Sequence, residues 1–527
     1  MKWSWTLGTT SFTALSGTAA SAATTAAVDL SWYPPRNTSI NDLAAVLDDS
    51  NGIYGFVFNS SDTPPGVPYG TYNWCNMPHV RKAEYVKPSA EYELQYVEVI
   101  QRHHKRTPYA SNSFPVEPYR WDCPEQGLFH YGEAVFGPGP GSGASAEQHQ
   151  HQHQQAARGY WQGYTSPVNP YTPSGWTGTC QFPQITLGGL DDAHTHGRDL
   201  YEVYHELLGF LPSRDDADEW RARVAYRVTQ NVITSQVAGM LISGTWATSS
   251  SSSSLAAAVP LLVQAAGIDS LEPQYACAAG DALSAAISAA PTWRAHLNAT
   301  RGLFHELDAI SGVPDDDAGF HVSFDHYYDN LSARQCHAKP LPCRIGTGSS
   351  MCVDQRLADA VYRAGQWEYS WVYRDAPASL AASVAAYGVW IAELSAHLRG
   401  RVAGEEGPIY FHNVAHDGSV SRVLSILQVD VMVWPGMGSE IVFELYRKTA
   451  DAEPEIEGAD HANARSGPGS SDYYVRVLFS GQVLQSSHPS LGVMDMVPLG
   501  TLLAYFDGLV GENASLVVGK CNGTISI

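Results

Sequence analysis

Apolar and polar residues alternate along Leu94-Gln-Tyr-Val-Glu-Val-Ile-Gln101, the two-residue period of a β-strand. Strand patterns recur at Arg223–Thr229, in the apolar run Pro408–Val414, and at Glu440–Tyr446 and Tyr473–Ser480. Helical spacing takes over between Thr186 and Gly209, where Leu190, Leu200, Val203, Tyr204 and Leu207 share a face. It returns around Ile233 to Ile242 and over the long stretch Ala378 to Arg401, which reads as amphipathic. Ser419 is placed to N-cap a helix over Val420 to Gln428. Strands interleaved with helices predict an α/β fold, a layered core with a central mixed sheet flanked by helices.

The pattern also divides the chain. Residues 1–22 read as a signal peptide, and residues 23–84, rich in Pro, Gly, Asn and Tyr, as an irregular, disulfide-tied lead-in. Residues 85–262 form a first part of the α/β core, interrupted near 140–158 by a low-complexity loop containing Gln148-His-Gln-His-Gln-His-Gln-Gln155, a solvated insert. The Ser249–Ser254 run is a flexible surface loop. Residues 263–377 are mostly helical and predict a cap domain, and residues 378–527 complete the core. No internal repeat is visible.

Composition narrows the function. With 527 residues, 44% of them hydrophobic, the chain can bury two or three packed units. A formal charge of −22 repels nucleic acid and anionic membranes, so neither is an expected partner. An anionic substrate would need a locally basic pocket. Lys2, a mildly apolar stretch and Ala20-Ser21-Ala22 have the form of a secretory signal. Eight cysteines (Cys75, Cys123, Cys180, Cys277, Cys336, Cys343, Cys352 and Cys521) lack CxxC spacing and fit disulfides better than zinc. Six N-x-S/T sequons, at Asn37, Asn59, Asn298, Asn330, Asn513 and Asn522, agree with a secreted glycoprotein. After the signal, no apolar stretch is expected to span a bilayer, and the C-terminus lacks the tail of a lipid-anchored precursor. Pairing of the cysteines and oligomeric state are not readable at this level.

The chemistry concentrates in Arg102-His103-His104-Lys105-Arg106-Thr107-Pro108, at the end of the first alternating run. Guanidinium forks match phosphate oxygens in pairs, and an imidazole between them can attack phosphorus. Phosphate-ester cleavage also needs an acid for the departing alkoxide. His416-Asp417, where a strand meets a helix N-terminus, supplies a candidate: His416 to bind a phosphate oxygen, Asp417 to donate a proton that partial desolvation helps it retain. His194-Thr-His196 beside Asp191 and Asp192 has a metal-like look, but without a third well-spaced ligand it reads as a solvated helix face. No metal and no cofactor is expected. Lys105 reads equally as an anion attractor or as a solvated side chain.

Arg102-His103-x-x-Arg106-x-Pro108, followed far downstream by His416-Asp417, resembles the histidine acid phosphatases, branch two of the histidine phosphatase superfamily. Ile185-Thr186 with Gly189, Gly197 and Tyr204 resembles the family's helix between those motifs. Phe411 to Tyr446, including Trp434-Pro-Gly-Met-Gly-Ser-Glu440, resembles secreted fungal members. The resemblance covers roughly residues 90 to 450. It implies an α/β core with a helical cap, no metal, and a phosphohistidine intermediate on His103. It also implies phosphate binding by Arg102, Arg106 and His416, and proton donation by Asp417. The implied protein is a secreted acid phosphatase acting on small phosphomonoesters and working best at acidic pH; phytate is one substrate known among family members.

Two positions depart from the family pattern. His104 stands where the family usually has glycine, which lets the loop approach phosphate closely. In the best frame, Arg227-Val-Thr-Gln-Asn-Val-Ile-Thr234, Ile233 takes the place of a further phosphate-binding arginine, with Arg227 about two helical turns away. Losing a charged donor would cost about 2.7–4 kcal/mol of transition-state stabilisation. The alternative expectation is therefore a weak or inactive phosphatase-fold protein that binds a phosphorylated ligand. It gains if His104 fills the space in front of His103.

Overall fold

The computed structural model describes residues 28–48, 66–115, 119–123, 130–131, 159–160, 163–164, 166–171, 176–247, 259–344, 351–449 and 472–526. The expected signal peptide, the Asn59 sequon, the 140–158 tract and the Ser249–Ser254 run lie outside these residues.

The core is one mixed sheet. Its strands are β1 (Tyr92–Arg102), β2 (Val224–Val228), β3 (Leu261–Leu262), β4 (Tyr410–Ala415), β5 (Glu440–Lys448), β6 (Tyr473–Phe479), β7 (Gln482–Val483) and β8 (Val497–Pro498). They lie in the order β7-β6-β5-β1-β4-β2-β3, with β8 paired to β6. β1, β4 and β2 run parallel, so Arg102 sits opposite Ala415 and Val414 opposite Val228. The carboxyl ends of three neighbouring strands therefore open onto one edge, the position at which α/β sheets bind ligands. β5 joins β1 antiparallel.

Alternation along each strand sends side chains to two different layers. Tyr96 and Ile100 of β1 join Phe443 and Val475 under helices Ser379–Val402, Asp417–Ile426 and Leu499–Val510. Val97 and Val99 join Val442 and Tyr410 under helix Leu187–Tyr201, and Val414 and Val228 pack with helix Val232–Trp246. The layered α/β architecture is thus the expected one.

Helix Ser379–Val402 differs from its reading. It is buried along most of its length rather than on one stripe, because it runs between the sheet and further helices. By length and composition it could cross a membrane, contrary to the expectation that nothing after residue 22 could, but it is mostly buried in the protein core. Helix Asp417–Ile426 starts earlier than expected and has His416 at its N-cap. Ser419 does not cap it, since its hydroxyl donates to the Leu271 carbonyl at 2.6 Å.

Beyond the sheet, helices Arg301–Ser311, Asp325–Cys336 and Gln355–Ser370 pack around Phe304, Phe324, Tyr327 and Tyr328. Trp74 from the N-terminal lead-in and Trp434 from the loop before β5 enter the same cluster. All eight cysteines are paired: Cys75–Cys336, Cys123–Cys180, Cys277–Cys521 and Cys343–Cys352. The first ties the lead-in to helix Asp325–Cys336. Of the sequons, Asn330 is sealed in the core, where its amide donates to the Asn112 carbonyl at 2.8 Å, so it offers no acceptor for a glycan. Asn37, Asn298, Asn513 and Asn522 are exposed.

Candidate active site

The ends of β1 and β4 bring both sequence motifs into one cleft of about 240 Å³. Arg102, His103, Arg106, His416 and Asp417 all line it, joined by Trp74, Tyr109, Asn112, Glu272, Asp325, Asp329, Tyr369 and Trp434. The rings of His103 and His416 stand edge to face, 5.6 Å apart.

His103 is held in one tautomer. Its Nδ1 lies 3.0 Å from the His104 carbonyl oxygen, which can only accept, so Nδ1 carries the proton and Nε2 keeps its lone pair. Burial, then the charges of Arg106, Arg102 and His416, hold its pKa well below the usual imidazole range. The ring is therefore neutral in mildly acidic solution.

Each arginine is already paired. Arg102 lies 3.1 Å from the Asp417 carboxylate, donates to the Pro435 carbonyl and covers the face of Trp74. Arg106 reaches Asp329 at 2.9 Å and covers Tyr109. Asp329 also accepts from the Asn112 amide at 2.7 Å and the Tyr109 N–H at 3.1 Å, so one carboxylate organises the far wall. Burial pushes the Asp417 carboxyl up. Arg102, the Trp434 indole N–H at 2.9 Å and the Gly418 N–H outweigh it and hold the pKa below the ordinary carboxylate range. Before a ligand arrives, the candidate donor is thus ionised, opposite to the sequence expectation that desolvation helps it keep a proton. His416 Nε2 contacts Thr229 Oγ1 at 3.1 Å and lies 3.4 Å from Glu272. Asp325, at the cleft mouth, keeps a solvent-accessible surface. Surrounding protein, then the charges of Asp329, Asp417 and Glu368, push it up to about 7.

His104 does not fill the space in front of His103. It is fully buried on the sheet's other side, its Nε2 2.9 Å from the Gln101 amide. Gln101 in turn accepts from His412 at 2.7 Å, and His196 donates to Glu440 at 2.9 Å beside the His79 ring. These groups form a buried polar floor beneath the loop. A Cβ on Gly438, whose φ is +73°, would lie 2.4 Å from the His104 ring. Gly438→Ala is therefore expected to destabilise the fold by at least about 1–3 kcal/mol, from the left-handed backbone and the clash together. Chemical denaturation checks this; an unchanged midpoint would mean that His104 is free to move aside.

Other readings change with this geometry. His196 and Asp192 are buried, not on a solvated face, and Lys105 is neither solvated nor in the cleft, since its Nζ pairs with Asp192 at 3.0 Å. Ile233 packs with Ile185, Leu190 and Val237 in the core. Arg227 lies on β2 rather than a helix and pairs with Glu393 and Asp269. Among the described residues, no lysine and no third arginine lines the cleft. Sequence reasoning missed Asp329, Asp325, Glu272 and Trp74. The first three belong to segments without a local motif, so no short-range signal marked them. Trp74 lay in a stretch read only as irregular.

No protein-family profile and no curated protein matches the chain. Among solved structures, it is similar to a Hafnia alvei phytase in complex with tartrate (11% identity, TM-score 0.47, 81% of this chain and 99% of that one). It is likewise similar to the phytase from D. castellii (14% identity, TM-score 0.42, 87% and 91%). A third is a Bifidobacterium longum multiple inositol polyphosphate phosphatase in complex with inositol hexasulfate (12% identity, TM-score 0.39, 78% and 92%). At such identities and scores, none of these likenesses specifies an activity for this chain.

Proposed function

We propose that this protein is a secreted acid phosphatase that hydrolyses phosphomonoesters through a phosphohistidine on His103. The observation that carries the reading is the fixed tautomer of a neutral His103, with Nε2 free, in one cleft with two arginines and an aspartate. Arg102, Arg106 and His416 hold the phosphoryl oxygens. Nε2 forms the N–P bond as the P–O bond to the leaving group breaks, and Asp417 gives the departing oxygen its proton. Water then attacks phosphorus and returns a proton to the Asp417 carboxylate, releasing inorganic phosphate and free His103. Disulfides on all eight cysteines support an oxidising, extracellular setting.

The ionised Asp417 sets the pH dependence. Since its pKa is lowered in the free protein, the proton it donates enters with the substrate, as the monoanion of the ester. The second ionisation of a phosphomonoester falls near pH 6, so kcat/KM is expected to drop about tenfold per pH unit above about 6. The lowered pKa of His103 keeps the nucleophile neutral on the acidic side. A kcat/KM profile that stays flat to about pH 8 would contradict this proton route.

The test of the reaction itself is rapid acid-free quenching during turnover of a labelled aryl phosphate. A phosphoenzyme stable to base and labile to acid, absent from His103→Ala, supports the reading; turnover without one removes it. A second reading, a protein that binds phosphate esters without turnover, is favoured by one observation: among the described residues only two arginines line the cleft, and both are already paired. Ester binding without turnover would establish it.

A further inference from the structure

The charge of the cleft beyond its phosphate-binding end is negative. Asp417 faces Arg102 and Asp329 faces Arg106, so one incoming phosphoryl group can take over the guanidinium contacts that these carboxylates hold. Past that point no lysine or further arginine lines the cleft among the described residues. Glu272 stands beside His416, and Asp325 opens toward solvent with no side-chain hydrogen bond or ion pair among the described residues. Among the described residues, the two arginines share the cleft with four carboxyl groups. A second or third phosphate on the same substrate would meet no further guanidinium or ammonium among the described residues and would instead approach Glu272 and, above about pH 7 where it is ionised, Asp325. A cation there would meet those carboxylates and the face of Tyr369, which stacks on Trp434 at 4.0 Å.

We propose that the cleft accepts one phosphate per substrate and selects an ammonium-bearing leaving group over a polyphosphorylated one, with Asp325 as the discriminating residue. The inference rests on the phosphoester-binding part of the reading above and deepens it. It follows from like-charge exclusion, which is a strong specificity device because the wrong ligand is repelled rather than merely bound less well.

The experiment compares phosphoethanolamine, phenyl phosphate and inositol hexakisphosphate at a fixed pH of about 8, where Asp325, pushed up to about 7, is ionised. For wild type, kcat/KM is expected to rank phosphoethanolamine first and inositol hexakisphosphate last, with at least about tenfold between them. Asp325→Lys is expected to shift the ratio of those two substrates about tenfold toward inositol hexakisphosphate, and Asp325→Asn about threefold. The conservative asparagine keeps the test valid if lysine disturbs folding. Wild type that prefers inositol hexakisphosphate, or ratios that neither variant moves, would overturn the inference while the phosphatase reading stands. Binding constants of the same three esters for His103→Ala supply the other arm. Retained preference with no hydrolysis by wild type keeps the inference and removes the enzyme; no preference in binding or turnover overturns it.

Discussion

His103→Ala is expected to lower kcat for an aryl phosphate on the order of 10⁵-fold while leaving phosphate binding largely intact. The magnitude is that of removing a covalent nucleophile from a group that acts as a unit. Among the described residues that line the cleft, the other imidazole, His416, is not placed to substitute. The His416 ring is 5.6 Å away and its Nε2 is occupied by Thr229 and Glu272. His104, next in the chain, is turned into the core. The side chain of His103 makes one hydrogen bond, to the neighbouring carbonyl, so its loss should change the unfolding midpoint little. Initial rates, calorimetric binding of vanadate and a thermal melt together decide the matter. Equal rates would remove His103 from the chemistry. Loss of vanadate binding with kcat would make it a binding group instead.

That the loop was readable from sequence reflects its covalent continuity: a strand that ends at Arg102 delivers two arginines and a histidine within five positions. His416-Asp417 was readable for a similar reason, since a strand-to-helix junction in a parallel sheet has few places to go. The strands themselves were legible because buried polar residues, Glu98 and Gln101 in β1 and Glu440 and Glu444 in β5, interrupt apolar runs that are buried on both faces and so mimic alternation. What escaped has a common physical cause. Asp329 and Glu272 act on the cleft from segments more than 160 positions away from Arg102, and only tertiary packing puts them there. His104 was weighed as an obstacle because linear proximity to His103 suggested spatial competition. In an extended segment, though, neighbouring side chains leave on opposite sides, and Gln101 and the gap at Gly438 receive this one. Helix Ser379–Val402 was misjudged because small residues such as Ser383 and Ser395 count as polar in a pattern, yet both are buried.

Asp329→Ala is expected to cost about 3–5 kcal/mol of stability, the effect of stripping one partner from a buried ion pair. Both partners are almost sealed, Asp329 at 6% and Arg106 at 5% exposure. Without the carboxylate, Arg106 would remain as an uncompensated cation, and the Asn112 amide and Tyr109 N–H would each lose an acceptor. The companion variant separates pairing from packing. Arg106→Met combined with Asp329→Leu should recover most of the loss, because removing both charges also removes the desolvation penalty. Urea denaturation of the two single variants and the double gives the coupling directly; a double variant no more stable than Asp329→Ala would locate the effect in packing. Function adds an independent readout. Added phosphate or vanadate binds the folded form and would replace the missing anion beside Arg106, so it should stabilise Asp329→Ala more than wild type. The carboxylates facing Arg102 and Arg106 would then have a definite role: they hold the two guanidinium groups in place, and in the proposed reaction a phosphoryl group would compete with them.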